Sequence, residues 1–213
     1  MELLGPVTRR EQDAPRLVPA DGGPSLPVWS SAAYSGVVRA AIVDWKRRGR
    51  AELDREMLRA VARTAERAAP GLAEALDRLQ ASMLVVVPIP SRLLARIRRA
   101  SAGPPALAVA VAEALVGWGL PARPRRVLAR RTGRPDQSGL GLHQRAANRE
   151  HATRVVGRPG APVLLVDDVL TTGATLLDAE RALSRAGAAT LGAIVLAVTP
   201  APAGPSRSPG QVS

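Results

Sequence analysis

The sequence predicts an α/β domain with a mostly parallel sheet flanked by helices. Short runs of Val, Leu and Ile alternate along the chain with longer segments of helical periodicity. Strands that alternate with helices favour a parallel sheet with right-handed crossovers. The length of 213 residues suits one such domain. The apolar share of 46% is sufficient for a core, although Phe is absent and Ala, Val and Leu must fill it.

The two ends of the chain differ from its middle. Residues 1–28 contain five prolines and little apolar periodicity, so we expect a flexible N-terminal arm. Residues 199–213 are rich in proline and are expected to form a disordered tail. The domain itself is therefore expected to span residues 29–198.

Helical patterns dominate the first half of this domain. Residues 37–45 place apolar side chains near helical spacing, and Gly49 interrupts the pattern. Residues 53–65 predict an amphipathic helix, because their apolar positions lie opposite a charged face. Pro104 and Pro105 mark the start of a third helix, since proline is favoured in the first helical turn.

Four short apolar runs predict strands, at residues 83–87, 127–128, 163–166 and 193–198. Residues 132–150 have no clear period and are expected to form a long loop or a loop with one helical turn. Apolar residues at helical spacing follow the third run, and Gly187 is the expected stop of that helix.

The strongest functional signal lies in residues 163–175. The apolar run 163–166 leads into Asp167 and Asp168, and small residues then lead into a helix: Thr171, Thr172, Gly173, Ala174 and Thr175. Such a loop at a helix start offers unpaired backbone N–H groups, hydroxyl donors and the positive end of the helix dipole. It therefore predicts a phosphate-binding site.

The two carboxylates of this run do not suit a phosphate, which they would repel. They suit the hydroxyls of a sugar that carries the phosphate, or a cation that bridges to it. The predicted ligand is a phosphorylated, hydroxyl-rich sugar. In the alternative interpretation, Asp167 and Asp168 are turn or cap residues of an ordinary strand-to-helix connection.

Other site motifs are absent from the sequence. There is no P-loop signature, and Gly139 and Gly141 lack the third glycine of a dinucleotide fingerprint. His143 and His151 stand alone and Cys is absent, so no metal site built from protein ligands is expected. The lack of Cys, of a signal peptide and of a long apolar run leads us to expect a cytoplasmic protein without a membrane partner.

The formal charge of +12 raises the question of a nucleic-acid partner. Six arginines lie within residues 123–134, but aromatic side chains that stack on bases make up only 2% of the chain. Arginine outnumbers lysine 29 to one, which indicates that the whole chain prefers arginine over lysine. The sequence therefore leaves single-stranded DNA as an alternative partner. Formation of a homodimer is a second alternative.

The run 163–175 resembles the phosphoribosyl-pyrophosphate (PRPP) motif of type I phosphoribosyltransferases. In that family the two acids hold the ribose 2′- and 3′-hydroxyls and the Thr/Gly loop holds the 5′-phosphate. The resemblance implies these contacts for Asp167, Asp168 and the loop 171–175, together with Mg²⁺ that arrives with PRPP. The family also uses a short loop after its first core strand for the pyrophosphate. The matching residues here are Ile89, Pro90, Ser91 and Arg92, for which a rigid surface turn is the alternative.

Further stretches are similar to the ComF/GntX branch of this family, which is associated with competence. They are Tyr34 to Gly36 with Lys46 and Gly49, the turn 87–90, and Gln137 with Arg145 and Asn148. The last three residues are candidates for a mobile loop that closes over the substrate. The chain lacks the paired N-terminal cysteines of many ComF-type proteins, and residues 98–103 depart from the branch pattern.

The resemblance implies a PRPP-binding protein that, if catalytic, transfers a phosphoribosyl group and releases pyrophosphate. The alternative is a binding module without turnover that supports DNA uptake or regulation. Lys46, as the one lysine of an arginine-rich chain, is a further candidate site residue, because a compact ammonium differs from a guanidinium in how it binds.

Overall fold

The computed structural model describes residues 8–14, 17, 26–48, 51–90, 103–131 and 152–200. Within them the helices and strands follow one another along the chain as β1 (Thr8–Arg9), β2 (Val28–Ser30), α1 (Gly36–Arg48), α2 (Ala51–Arg78), β3 (Leu84–Pro88), α3 (Pro104–Trp118), β4 (Ala122–Pro124), β5 (Leu128–Arg130), β6 (Thr153–Val155), β7 (Val163–Leu170), α4 (Ala174–Arg185) and β8 (Thr190–Val198).

Six of the strands form one sheet in the order β1-β2-β8-β7-β3-β4. Strand β1 pairs antiparallel with β2, whereas the other five strands are parallel to one another. Strands β5 and β6 form a separate antiparallel pair. The predicted fold class, an α/β domain with a mostly parallel sheet flanked by helices, is confirmed.

Alternate residues of the central strands face two different apolar cores. Along β3, Leu84 and Val86 pack in a cluster with the buried faces of α1, α2 and α3. Their neighbours Val85 and Val87 pack on the opposite side, in a cluster with α4. Because both faces of the sheet are covered, these strands are continuous apolar runs without polar alternation.

The central strands are longer than their apolar runs predict. The run 163–166 is the first half of β7, which continues to Leu170, and the run 193–198 belongs to a strand that begins at Thr190. The two strands pair along this whole length, ending with Leu170 opposite Val198. Backbone pairing with β8 therefore keeps the acidic residues of β7 in an extended conformation.

The N-terminal segment differs from the predicted flexible arm in its described part. Residues 8–9 form an edge strand and Val28 begins β2. Between them, Ala14 and Leu17 are buried in the cluster that contains α4. Strands of two or three residues and single buried side chains leave no period in the sequence, which explains the difference. The proposed tail lies almost wholly outside the described residues.

Candidate functional site

The acid pair of β7 lies at the carboxyl edge of the parallel sheet. Strand β3 pairs with β7 up to Pro88, which is opposite Val166. The Ile89 N–H then donates to the Val166 carbonyl (2.9 Å) and closes this ladder. Asp167 and Asp168 are therefore the first residues of β7 beyond the end of β3, where open α/β sheets bind their ligands.

The two acids have different surroundings. Asp168 is buried, with 9% of its surface exposed, and its Oδ2 lies 2.8 Å from the Lys46 Nζ on α1. Asp167 is half-buried, and its Oδ1 accepts a hydrogen bond from the Asp168 backbone N–H (2.8 Å). One carboxylate of the pair thus has a cationic partner, and the other is held by the main chain.

Asp167 titrates far from the usual range of an aspartate. Burial of its carboxyl group and, secondly, the charge of Asp168 raise its pKa from 3.8 to about 8, against the opposing effects of the Asp168 N–H and of Lys46. Part of the residue's surface nevertheless remains accessible. Near neutral pH the pair therefore retains a proton that it can release when donors or cations approach it.

The Thr/Gly loop lies at the start of α4, as predicted. Gly173 is the N-cap residue and provides no side-chain cap. Thr171, Thr172 and Thr175 are exposed, and the Thr172 hydroxyl accepts from the Ala174 N–H at a long 3.4 Å. The first N–H groups of a helix have no partner within it, so the start of this 12-residue helix, beside exposed threonines, can bind an anion.

Both the backbone conformation and the space left by a neighbouring side chain require glycine at Gly173. Its φ of +80° lies in the left-handed region, and a Cβ atom there would lie 2.5 Å from Leu17 Cγ. The N-terminal segment thus packs directly against the loop. The sequence does not predict this contact, because the residues between Leu17 and the sheet show no apolar periodicity.

Replacement of Gly173 by Ala is expected to destabilise the protein by about 1–3 kcal/mol from backbone strain and the Leu17 contact. Gly187→Ala is the matched control, because Gly187 has a similar φ of +75° but open space around its Cα. Thermal unfolding of both variants should show the larger loss for Gly173→Ala. Equal losses would show that Leu17 does not constrain the loop.

The predicted pyrophosphate loop is only partly described. The Ile89 side chain is buried and its N–H is used by the sheet, so this residue has a structural role. Pro90 is half-buried and has no N–H to donate. Ser91 and Arg92 lie outside the described residues, as do Gln137, Arg145 and Asn148. Of the described residues, Arg131 and Ala152 lie side by side, since the Arg131 N–H donates to the Ala152 carbonyl (2.7 Å).

The described residues contain no group of three or more His, Cys, Asp or Glu side chains that could hold a metal ion. In the same part of the chain, no helix has the length and apolar character needed to cross a membrane. The acid pair and the Lys46 ammonium are charged groups that the structure brings together at this edge.

Comparison with known proteins identifies the family. None of the curated proteins matches the chain. Residues 56–210 match the family model of the phosphoribosyl transferase domain. The match covers more than half of the chain and includes the acid pair and the loop, but not Lys46. The sheet order and the helices on both faces agree with the type I phosphoribosyltransferase fold expected from the sequence. The chain therefore belongs to the phosphoribosyl transferase domain family.

Proposed function

We propose that this protein binds PRPP at the carboxyl edge of its sheet and transfers the phosphoribosyl group to an acceptor. The observation that carries the proposal is the order of groups along β7 and α4. Two acids lie just beyond the end of β3, and a loop with exposed threonines follows at a helix start whose N-cap residue, Gly173, provides no side-chain cap. Family membership supports a phosphorylated sugar as the substrate class.

In the proposed complex, the loop 171–175 binds the 5′-phosphate. Backbone N–H groups, the exposed threonine hydroxyls and the positive end of α4 all favour an anion at this place. The helix start contributes up to about 2 kcal/mol, and each hydrogen bond to a charged group contributes about 1.5–3 kcal/mol. Together these contacts favour binding of a small phosphosugar through its phosphate.

The acid pair is proposed to hold the ribose hydroxyls. A carboxylate accepts hydrogen bonds from neighbouring hydroxyls, and Asp168 is already ordered by Lys46. In the reaction, a nitrogen of the acceptor base forms a bond to the ribose C1′ as the bond between C1′ and the pyrophosphate oxygen breaks. Positive charge develops on the ribose in the transition state, so nearby carboxylates also stabilise it electrostatically.

Mg²⁺ is proposed to enter with PRPP. The described residues fit this view, because they offer one acid pair with a lysine beside it rather than a cluster of carboxylates around a cavity. Mg²⁺ commonly keeps several waters and takes its other ligands from substrate phosphates. When bound, the ion neutralises the leaving pyrophosphate.

The finer proposal is that the protein is of the ComF type and acts in the cytoplasm. A binding module without turnover is the second candidate, with single-stranded DNA as a partner. The exposed side chains of Arg123, Arg125 and Arg126, in and just after β4, favour it, because they place three cations near the carboxyl edge.

Release of pyrophosphate distinguishes the two candidates. The protein is incubated with PRPP, Mg²⁺ and a panel of purine and pyrimidine bases, and pyrophosphate is measured against a base-free reaction. We expect at least one base to raise the release rate. If PRPP binds without base-dependent release, and single-stranded DNA binds with strong salt dependence, the transferase proposal is wrong and the binding module is favoured.

A further inference from the structure

The one lysine of the chain forms an ion pair with one of the two acids of β7. Lys46 Nζ is 2.8 Å from Asp168 Oδ2, and the two side chains retain 28% and 12% of their surface exposed. An ion pair this shielded from water is screened less by salt than a surface pair. Lys46 lies outside the matched residues 56–210, so the family match assigns it no role.

Helix α1 holds this lysine in place through its neighbours. Trp45 is fully buried, and its Nε1 donates to Asp54 Oδ1 on α2 (2.6 Å). Ile42, one turn earlier, is buried in the same core cluster. Because Trp45 and Ile42 anchor α1, the next residue along the helix, Lys46, is placed where its ammonium contacts β7.

The ion pair makes the two acids unequal. The ammonium contacts Asp168, whereas the carboxylate of Asp167 turns back to the main chain of its neighbour. We propose, on the basis of the function proposed above, that Lys46 is a positioning residue that holds the Asp168 carboxylate oriented to accept a hydrogen bond from a ribose hydroxyl.

The chemistry of lysine explains why arginine, used at the other 29 basic positions, is not used here. A guanidinium has a planar fork that pairs with both oxygens of a carboxylate, whereas an ammonium acts as a compact point charge. The Lys46 ammonium contacts Oδ2, so Oδ1 can accept from the ligand. An arginine at this position would compete for both oxygens.

The test uses calorimetric titration of Mg²⁺–PRPP into the unsubstituted protein, Lys46→Met, Lys46→Arg and Arg47→Met from pH 5.5 to 8.5. Arg47 is the adjacent exposed cation on α1 and gives the matched control for loss of one charge. We expect Lys46→Met to weaken binding at least tenfold and to move the acidic limb of the affinity profile to higher pH. The Lys46 charge lowers the pKa of Asp167, so its loss raises that pKa, which explains this direction.

The conservative variant separates positioning from a structural role. Lys46→Arg is expected to keep the pH profile, because it keeps the charge, but to lose several-fold in affinity. Arg47→Met should keep both affinity and profile. If the unsubstituted protein binds PRPP and Lys46→Met binds equally well with the same pH profile, the role of Lys46 is wrong although the proposed function stands. If the unsubstituted protein does not bind PRPP, both are wrong.

Discussion

Asp168→Asn is expected to lower the affinity for PRPP at least tenfold. The substitution keeps the shape of the side chain but removes the charge that accepts the ribose hydroxyl, and hydrogen bonds to charged groups contribute about 1.5–3 kcal/mol. It also leaves the partly buried Lys46 ammonium without its anion. Since about 1.4 kcal/mol corresponds to a factor of ten, loss of the hydrogen bond to the ligand is sufficient for this decrease in affinity.

Calorimetry with Mg²⁺–PRPP measures this loss, and Thr172→Ala should weaken binding to a similar degree through the phosphate. Asp77→Asn provides the control, because Asp77 is an exposed acid on α2. Circular dichroism should show that all three variants are folded. Unchanged affinity in both site variants would remove the acid pair and the loop from the site.

Asp167→Asn is expected to raise the stability of the protein at high pH and to lower its affinity for PRPP. Burial and the charge of Asp168 raise the pKa of Asp167 from 3.8 to about 8, so ionising this carboxyl costs the folded state free energy. An amide has no charge to bury. Above pH 8 the variant should therefore be more stable than the unsubstituted protein, on the order of 2–5 kcal/mol, while its affinity for PRPP falls.

The stability gained by Asp167→Asn is expected to depend on pH in a definite direction. Between pH 3.8 and about 8 the folded protein binds more protons at Asp167 than the unfolded chain does, so the free energy of unfolding falls as pH rises through this window. The stability gained by Asp167→Asn should thus be small near pH 4 and largest above pH 8. Urea unfolding at pH 5 and pH 8.5 measures it, with Asp77→Asn as the exposed control. A gain that does not grow with pH would show that Asp167 is an ordinary ionised aspartate.

Much of the architecture could be predicted from local sequence patterns. The apolar run 163–166 is a buried strand, Pro104 begins α3, and α4 ends just before Gly187, which adopts a left-handed φ of +75°. These patterns are informative because each depends on neighbours in the sequence: apolar continuity in a strand covered on both faces, or a residue with a fixed φ preference at a helix end.

Elements that depend on partners far along the chain were not predictable. Strands β1, β4 and β6 have two or three residues each and exist through their pairing with other strands. Helix α2 continues past Pro70, where propensity alone predicts a break, because its buried residues extend to Leu76. Packing against the core outweighs the hydrogen bond lost at the proline.

The candidate site likewise combines features that local sequence predicts with features that depend on residues far apart in the chain. The order of acids, loop and helix start is local, so the sequence reveals it. The pairing of Lys46 with Asp168 and the contact of Leu17 with Gly173 each join distant segments, and no spacing rule connects them. The sequence singles out Lys46 by its rarity, but only the fold identifies its partner.

The most direct test of the central claim compares ribose 5-phosphate with 2-deoxyribose 5-phosphate as ligands in calorimetry. Both carry the phosphate that the loop 171–175 is proposed to bind, but only the first carries the 2-hydroxyl that the acid pair is proposed to hold. A buried acceptor left without its partner strongly disfavours the analogue. We predict that the ribose compound binds at least about tenfold more tightly, which corresponds to ~1.4 kcal/mol. Equal affinity for the two sugars would contradict the account.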